Sequence, residues 1–237
     1  MKKRIWELDA LRGLCILGML FVHILFDLFA FGIWYPPVWL GQVYWILSQW
    51  GGILFFLISG ICVTLGRHHI RRGLWVLACG IACSIVTVGM YLLQIMGHGI
   101  IIYFGVLHCL GICMLLWPLF KKLPVWSLIL SSAALIALGF WLKGFRVDHY
   151  WLVSVGIMPR HFVSSDYFPL LPNVGYFLAG IALGRTLYRK KESLMPKVNP
   201  KNPLVRGLSL VGIYSLPIYM LHQPVVYALM LLIANIF

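Results

Sequence analysis

Acidic residues are scarce in this chain: six Asp and Glu stand against nineteen Lys and Arg in 237 residues. Charged side chains of both signs reach only 11%, while 62% of the residues are hydrophobic and mean hydropathy is +0.93. An ordinary soluble domain carries about a quarter charged residues, so a soluble fold is excluded. No internal repeat and no low-complexity stretch is visible, which argues against a solenoid. The six cysteines, Cys15, Cys62, Cys79, Cys83, Cys109 and Cys113, all fall in apolar runs. Cys79/Cys83 and Cys109/Cys113 are i,i+4 pairs with no neighbouring acid and no CxxC, so they read as packing residues rather than a disulfide framework or metal site.

Long apolar runs are abundant. Seven stretches lie close to the length, about 17–25 residues, that spans a bilayer as a helix: 11–32, 43–65, 74–96, 101–120, 125–142, the short 169–184 and the longer 208–234. The expected fold is all-α: a polytopic integral membrane helix bundle of about seven transmembrane helices, in one domain over 1–237. The first stretch follows MKKR but has no small-x-small cleavage site, so it reads as a retained span. Pro217 and Pro224 predict an irregular last helix, tolerated only against protein or a water-lined cavity.

Charge orients the bundle. Sixteen of the nineteen cations flank the N-terminus (Lys2, Lys3, Arg4, Arg12) or fill the second, fourth and sixth connections; only Lys143, Arg146 and Arg160 fall on the opposite side. The basic side faces the cytoplasm by the positive-inside rule, giving N-terminus in and C-terminus out. The formal net charge of +13 is therefore topology rather than a nucleic-acid surface. Residues 185–207 read as a basic, solvated cytoplasmic loop. Residues 143–168, with their aromatics, two acids and two histidines, read as an outer segment that lies on the membrane surface or closes over a binding site.

Ionisable groups inside spans are expensive and mark function by default. Arg12 and His23 enclose ten mostly apolar residues. Eleven helical steps return to within roughly 20° of the starting face with a rise of about 16 Å. One face of the first span thus carries a cation at its start and an imidazole half a membrane deeper, with Asp27 one turn further on.

Four blocks stand out together: LDALRGLCILGMLFVHILFDL (8–28), YFGVLHCLGI (103–112), YFPLLPNVGYFLAGIALGR (167–185) and GIYSLPIYMLHQPVV (212–226). In this order they resemble the catalytic domain of heparan-alpha-glucosaminide N-acetyltransferase and its small bacterial relatives, over nearly the whole chain. The Arg-x10-His spacing also resembles acyltransferase family 3, a sister group. The resemblance implies transfer of an acetyl or other short acyl group from cytoplasmic acyl-CoA to an acceptor at the outer face, with a core histidine as base. In the lysosomal enzyme of the family that histidine lies in the outer segment after the first helix. This chain has none between Gly32 and Trp50, so the role falls to His23 or another core histidine.

The residue chemistry fits. A neutral imidazole suits removal of a proton from a hydroxyl or amine attacking a thioester. Asp27 is placed to orient His23 and stabilise its cation. Oxyanion donors or acceptor-lining groups are sought among His108, Tyr214, Tyr219, His222 and Gln223. Phosphates of CoA call for Arg12, steadied by Asp9, and for Arg67, Arg71 and Arg72. For Arg67, Arg71 and Arg72 the plain alternative is a positive-inside stop. The expected donor is acetyl-CoA, with no metal; the expected partners are acyl-CoA, a glycan or amino-sugar acceptor and membrane lipid, with no nucleic acid and a homo-oligomer left open. The expected location is the plasma membrane. Two other functions use the same residues: a proton-coupled transporter of a small solute or lipid, through Asp27 and His23, and a haem carrier ligated by His23, His108 and His222.

Overall fold

A computed structural model describes residues 4–234; Lys2 and Lys3 lie outside that range. Among the described residues the fold is all-helical apart from one two-residue strand pair and an isolated bridge between Phe104 and Tyr167. Its elements are α1 (Trp6–Ala30), α2 (Val38–Leu65), α3 (His69–Leu92), a 3-10 turn (His98–Ile100), α4 (Val106–Phe120), α5 (Val125–Leu142), β1 (Arg146–Val147), β2 (Met158–Pro159), α6 (Leu170–Thr186), α7 (Pro203–Ile213) and α8 (Ser215–Ala234). Among the described residues five helices, α1, α2, α3, α5 and α8, are long and apolar enough to cross a membrane. Their outward faces stay apolar, as at Ile85 (67% exposed), Trp45 (61%) and Leu130 (61%). Only lipid makes such a surface stable, and the protein is a multi-pass membrane protein.

α4 is shorter than the 101–120 stretch expected for it, with 15 residues, while α6 with 17 matches the short 169–184 stretch; their rises are about 22 and 25 Å. The run 208–234 is divided at Tyr214 into α7 and α8. The cause is Pro217: it has no amide hydrogen for the Ile213 carbonyl, and its ring crowds that oxygen. Asn202 starts α7 by accepting from Leu204 N at 3.0 Å, with Pro203 at the first helical position.

The chain divides into two compact units, Met1–Phe55 with Lys191–Phe237, and Phe56–Lys190. In the first, α1 packs on α7 and α8. The α1–α7 contact is backbone against backbone: a Cβ on Gly13 would meet the Leu208 carbonyl, and one on Gly212 the Asp9 carbonyl. Small residues allow such approach where lipid gives helices no hydrophobic reason to associate. His23 lies beside His222 and Phe31 beside Tyr227, so α1 and α8 run in the same direction. Glu7, 5% exposed, accepts from Ser193 Oγ at 2.9 Å and Leu194 N at 2.8 Å. The basic loop is thereby tied at one point to the start of α1.

In the second unit α3 packs antiparallel on α4, with Gly73 at Gly111 and Gly80 at His108. α5 packs antiparallel on α6, where Ser132 Oγ donates to Gly175 O at 2.8 Å and Gly139 abuts Pro172. Residues 57–64 of α2 run parallel to α6 through Gly60, Gly180 and Gly184. One end of this unit is cationic. The Arg185 guanidinium donates to the carbonyls of Phe120, Lys121 and Leu123 and lies 5.4 Å over Trp117, whose other neighbour is the His69 ring at 5.8 Å. At the opposite end of α4, the 143–168 segment is fastened to the 100–106 turn. Ser164 and Ser165 donate to Ile101 O and Ile100 O, Phe168 N donates to Phe104 O, and Asp166 Oδ2 accepts from Val106 N at 3.0 Å. Burial pushes the Tyr167 hydroxyl up to about 12, keeping it the donor to Val153 O at 2.8 Å.

Candidate active site

The polar residues of the first unit converge between α1 and α8. α1 is unbroken from Trp6 to Ala30, so Arg12, His23 and Asp27 keep the face spacing expected from the sequence. The His23 and His222 rings meet edge to face, with centroids 4.8 Å apart and planes at 60°. One turn further, Gln223 Nε2 donates to Asp27 Oδ2 at 3.0 Å. Asp27 is 4% exposed and His222 9%. Asp27, expected to orient His23, thus spends a hydrogen bond on Gln223, and His23 has no hydrogen-bond partner among the described residues. Its contact is the His222 ring.

His222 is wired differently. Its Nδ1 lies 2.6 Å from the Tyr219 carbonyl oxygen. A carbonyl only accepts, so Nδ1 carries the hydrogen, and in the neutral ring Nε2 is left as a bare acceptor. Among the described residues that Nε2 is buried without a hydrogen-bond partner, as is Gln223 Oε1. Buried polar atoms are nearly always satisfied, so two unsatisfied acceptors on adjacent residues make this spot a site candidate. Neutral His222 therefore cannot donate to an oxyanion from Nε2, a role left open for it in the sequence.

The remaining candidates separate. Arg12 is half-buried near the start of α1. Asp9, expected to steady it, makes its ion pair with Arg4, Oδ2 to Nε at 3.4 Å, and stays within electrostatic range of the Arg12 guanidinium. Arg67, Arg71 and Arg72 are exposed around the α2–α3 turn of the second unit. Tyr214 sits at the α7–α8 break, 58% exposed. The Tyr219 ring stays with the cluster, 5.4 Å from His222.

His108 belongs to the second unit and is fully committed there. Gly105 N donates to its Nδ1 at 3.2 Å, so in the neutral ring the hydrogen is on Nε2, which faces Ser84 Oγ at 3.4 Å; Ser84 in turn donates to Ile102 O at 2.6 Å. It does the work that Glu or Gln does in a helix capping box, closing the first turn of α4. Ser84 and Asp166, which hold the same turn, were not singled out in the sequence. The acid three residues before Pro169 is a recoverable signal; Ser84 in an apolar run is not.

Two of the four sequence blocks thus supply a polar cluster, and two supply helix packing and a cap. A profile of the catalytic domain of heparan-alpha-glucosaminide N-acetyltransferase matches residues 4–224. The chain belongs to that family. No curated protein and no solved structure matches it. The match takes in the second unit and most of the first, from Arg4, just before α1, to Pro224 in α8. Membership makes this a membrane protein of an acetyltransferase family, and within the family's span the His23–His222–Asp27–Gln223 cluster is the candidate active site.

Proposed function

We propose that the protein is a membrane-embedded acyltransferase, one domain over 1–237. It moves an acetyl or other short acyl group from cytoplasmic acyl-CoA to a hydroxyl or amine of a sugar or glycan at the outer face of the plasma membrane. The observation that carries this reading is the polar cluster on α1 and α8, in which His23, eleven residues along α1 from Arg12, meets His222, whose Nε2 is buried with no hydrogen-bond partner among the described residues. The rise between Arg12 and His23, about 16 Å, is comparable with an extended pantetheine arm. In this reading Arg12 holds a phosphate of the donor and the thioester reaches His23; Arg67, Arg71 and Arg72, in the second unit, are the further cations put forward for CoA phosphates.

His23 acts as general base on the acceptor. Asp27, held by Gln223, supplies the negative charge that favours the imidazolium formed as the proton arrives. Asp27 is buried, which strengthens that attraction. Among the candidate lining groups, Gln223 and Tyr219 lie beside His222, and Tyr214 lies at the break between α7 and α8.

The directions of the packed helices support seven crossings with N-terminus in and C-terminus out. α3–α4 and α5–α6 are antiparallel while α2–α6 and α1–α8 are parallel, as alternation over seven requires when α7 and α8 together make the last pass. The 16 to 3 division of cations supports the same sense.

The test is acetyl-CoA binding by titration calorimetry in nanodiscs, followed by mass spectrometry of an amino-sugar acceptor incubated with protein and acetyl-CoA. A mass gain of one acetyl group with stoichiometric thiol release is expected. Proton-driven solute uptake into proteoliposomes, with no acetyl-CoA binding, would replace this reading with a transporter.

A further inference from the structure

Resting on the acyltransferase reading of this site, we propose that His222 is the second station of a two-histidine proton relay. His23 takes the proton from the acceptor, and His222 Nε2 receives the proton that leaves the other nitrogen of His23. The direction is set by what each ring has already committed. His222 has one nitrogen engaged, its Nδ1–H on the Tyr219 carbonyl at 2.6 Å. Its other nitrogen carries a bare lone pair, on a ring nine-tenths buried, with no partner among the described residues. His23 has neither nitrogen engaged among the described residues, so it can take a proton at one and release one at the other, as imidazole does when it relays.

The rings are close enough for this. With centroids 4.8 Å apart and planes at 60°, an N–H···N contact of about 3 Å is within reach of ring rotation. Hydrogen bonds of resting active sites commonly tighten only once substrate is bound. The backbone carbonyl of Tyr219 takes the place a carboxylate holds behind the base of a catalytic triad: it fixes the tautomer and adds no charge to the membrane interior. Asp27 then faces one positive charge shared by two imidazoles.

The step balances. The acceptor O–H or N–H bond breaks as its oxygen or nitrogen bonds the acyl carbon. One proton enters the relay, the C–S bond breaks, and the thiolate takes a proton back along the same path. The products are acylated acceptor and thiol, with no change of oxidation state.

Two measurements test it. The first needs no substrate: nitrogen NMR of the full-length protein in nanodiscs, with ¹⁵N-labelled histidine and His222→Gln to identify the signals. The expected result is a neutral His222 ring with hydrogen on Nδ1 and a bare Nε2. Hydrogen on Nε2, or an imidazolium at rest near neutral pH, would overturn the relay. The second is steady-state transfer in H2O/D2O mixtures. Wild type should curve with deuterium fraction, as two protons in flight require. His222→Gln, which keeps a hydrogen-bond acceptor but cannot become a cation, should respond linearly. Its kcat should fall at least about tenfold, a share of the 10²–10⁴ typical of acid–base catalysis, with acetyl-CoA affinity unchanged. A linear wild-type response, or a kcat within about threefold of wild type in the variant, would overturn the relay while leaving the acyltransferase reading intact. Absence of transfer and of acetyl-CoA binding in wild type would remove that reading and the relay with it.

Discussion

Gln223 Nε2 donates to Asp27 Oδ2 at 3.0 Å and joins the last helix to the first one turn beyond the paired histidines. The bond makes Asp27 the buried acid of the cluster and leaves His23 free to turn. Both consequences can be measured.

His23→Ala is expected to abolish acyl transfer while leaving acetyl-CoA binding intact, because the base acts on the acceptor and need not hold the donor. Positioned general-base catalysis contributes about 10²–10⁴-fold. Thiol release in the presence of acceptor reads this directly. A variant retaining more than about a tenth of the wild-type rate would move the base elsewhere.

Asp27→Asn isolates charge from geometry. The asparagine carbonyl still accepts from Gln223 Nε2, so the α1–α8 tie survives and only the negative charge is lost. An intermediate drop in kcat, about tenfold or 1.4 kcal/mol, is expected with little change in thermal stability. A loss as large as that of His23→Ala would mean that Asp27 does more than support a cation.

Arg12→Ala should weaken acetyl-CoA binding without unfolding the protein. A guanidinium–phosphate contact contributes about 1.5–3 kcal/mol, or roughly ten- to hundredfold in affinity. Calorimetry on both forms would measure it; equal affinities would leave Arg12 as a membrane anchor.

His108→Ala is expected to behave as a stability variant. It removes the acceptor for Gly105 N and leaves Ser84 without its ring contact, a loss of about 1–3 kcal/mol when buried groups go unpaired. Thermal unfolding should occur earlier while kcat per folded molecule stays near wild type. A large fall in kcat in fully folded protein would return His108 to the site.

Orientation is testable at exposed positions. Lys197→Cys should be labelled only from the cytoplasm and Trp151→Cys, at a residue 88% exposed, only from outside. The reverse pattern would invert the assignment of the donor side.

Class and candidate site differ in how much of them the sequence carries. A helical membrane fold follows from composition, because lipid permits few other solutions. Arg12, His23 and Asp27 share a face because α1 has nothing to break it. What the sequence hides is pairing. Nothing local says that Asp27 meets Gln223, 196 positions on, or that Asp9 turns back to Arg4. His108 and His222 look alike in their apolar surroundings, GVLHCLG and YMLHQPV. They part only when backbone atoms are in place: a donor amide claims His108 Nδ1 and an acceptor carbonyl claims that of His222. The break at Tyr214 was half legible. Pro217 signals an irregular helix, but the carbonyl it frees fixes where the helix stops.

The backbone-to-backbone contact of α1 with α7 bears on how mutational data for this protein are to be interpreted. Gly13 and Gly212 have no room for a single added carbon, and they lie on the elements that carry the histidines. A screen scored on product alone would rank both among the most sensitive positions, beside His23. Normalising each variant to the amount of protein in the membrane would separate them: the glycines should lose abundance, and the histidine should lose turnover at full abundance.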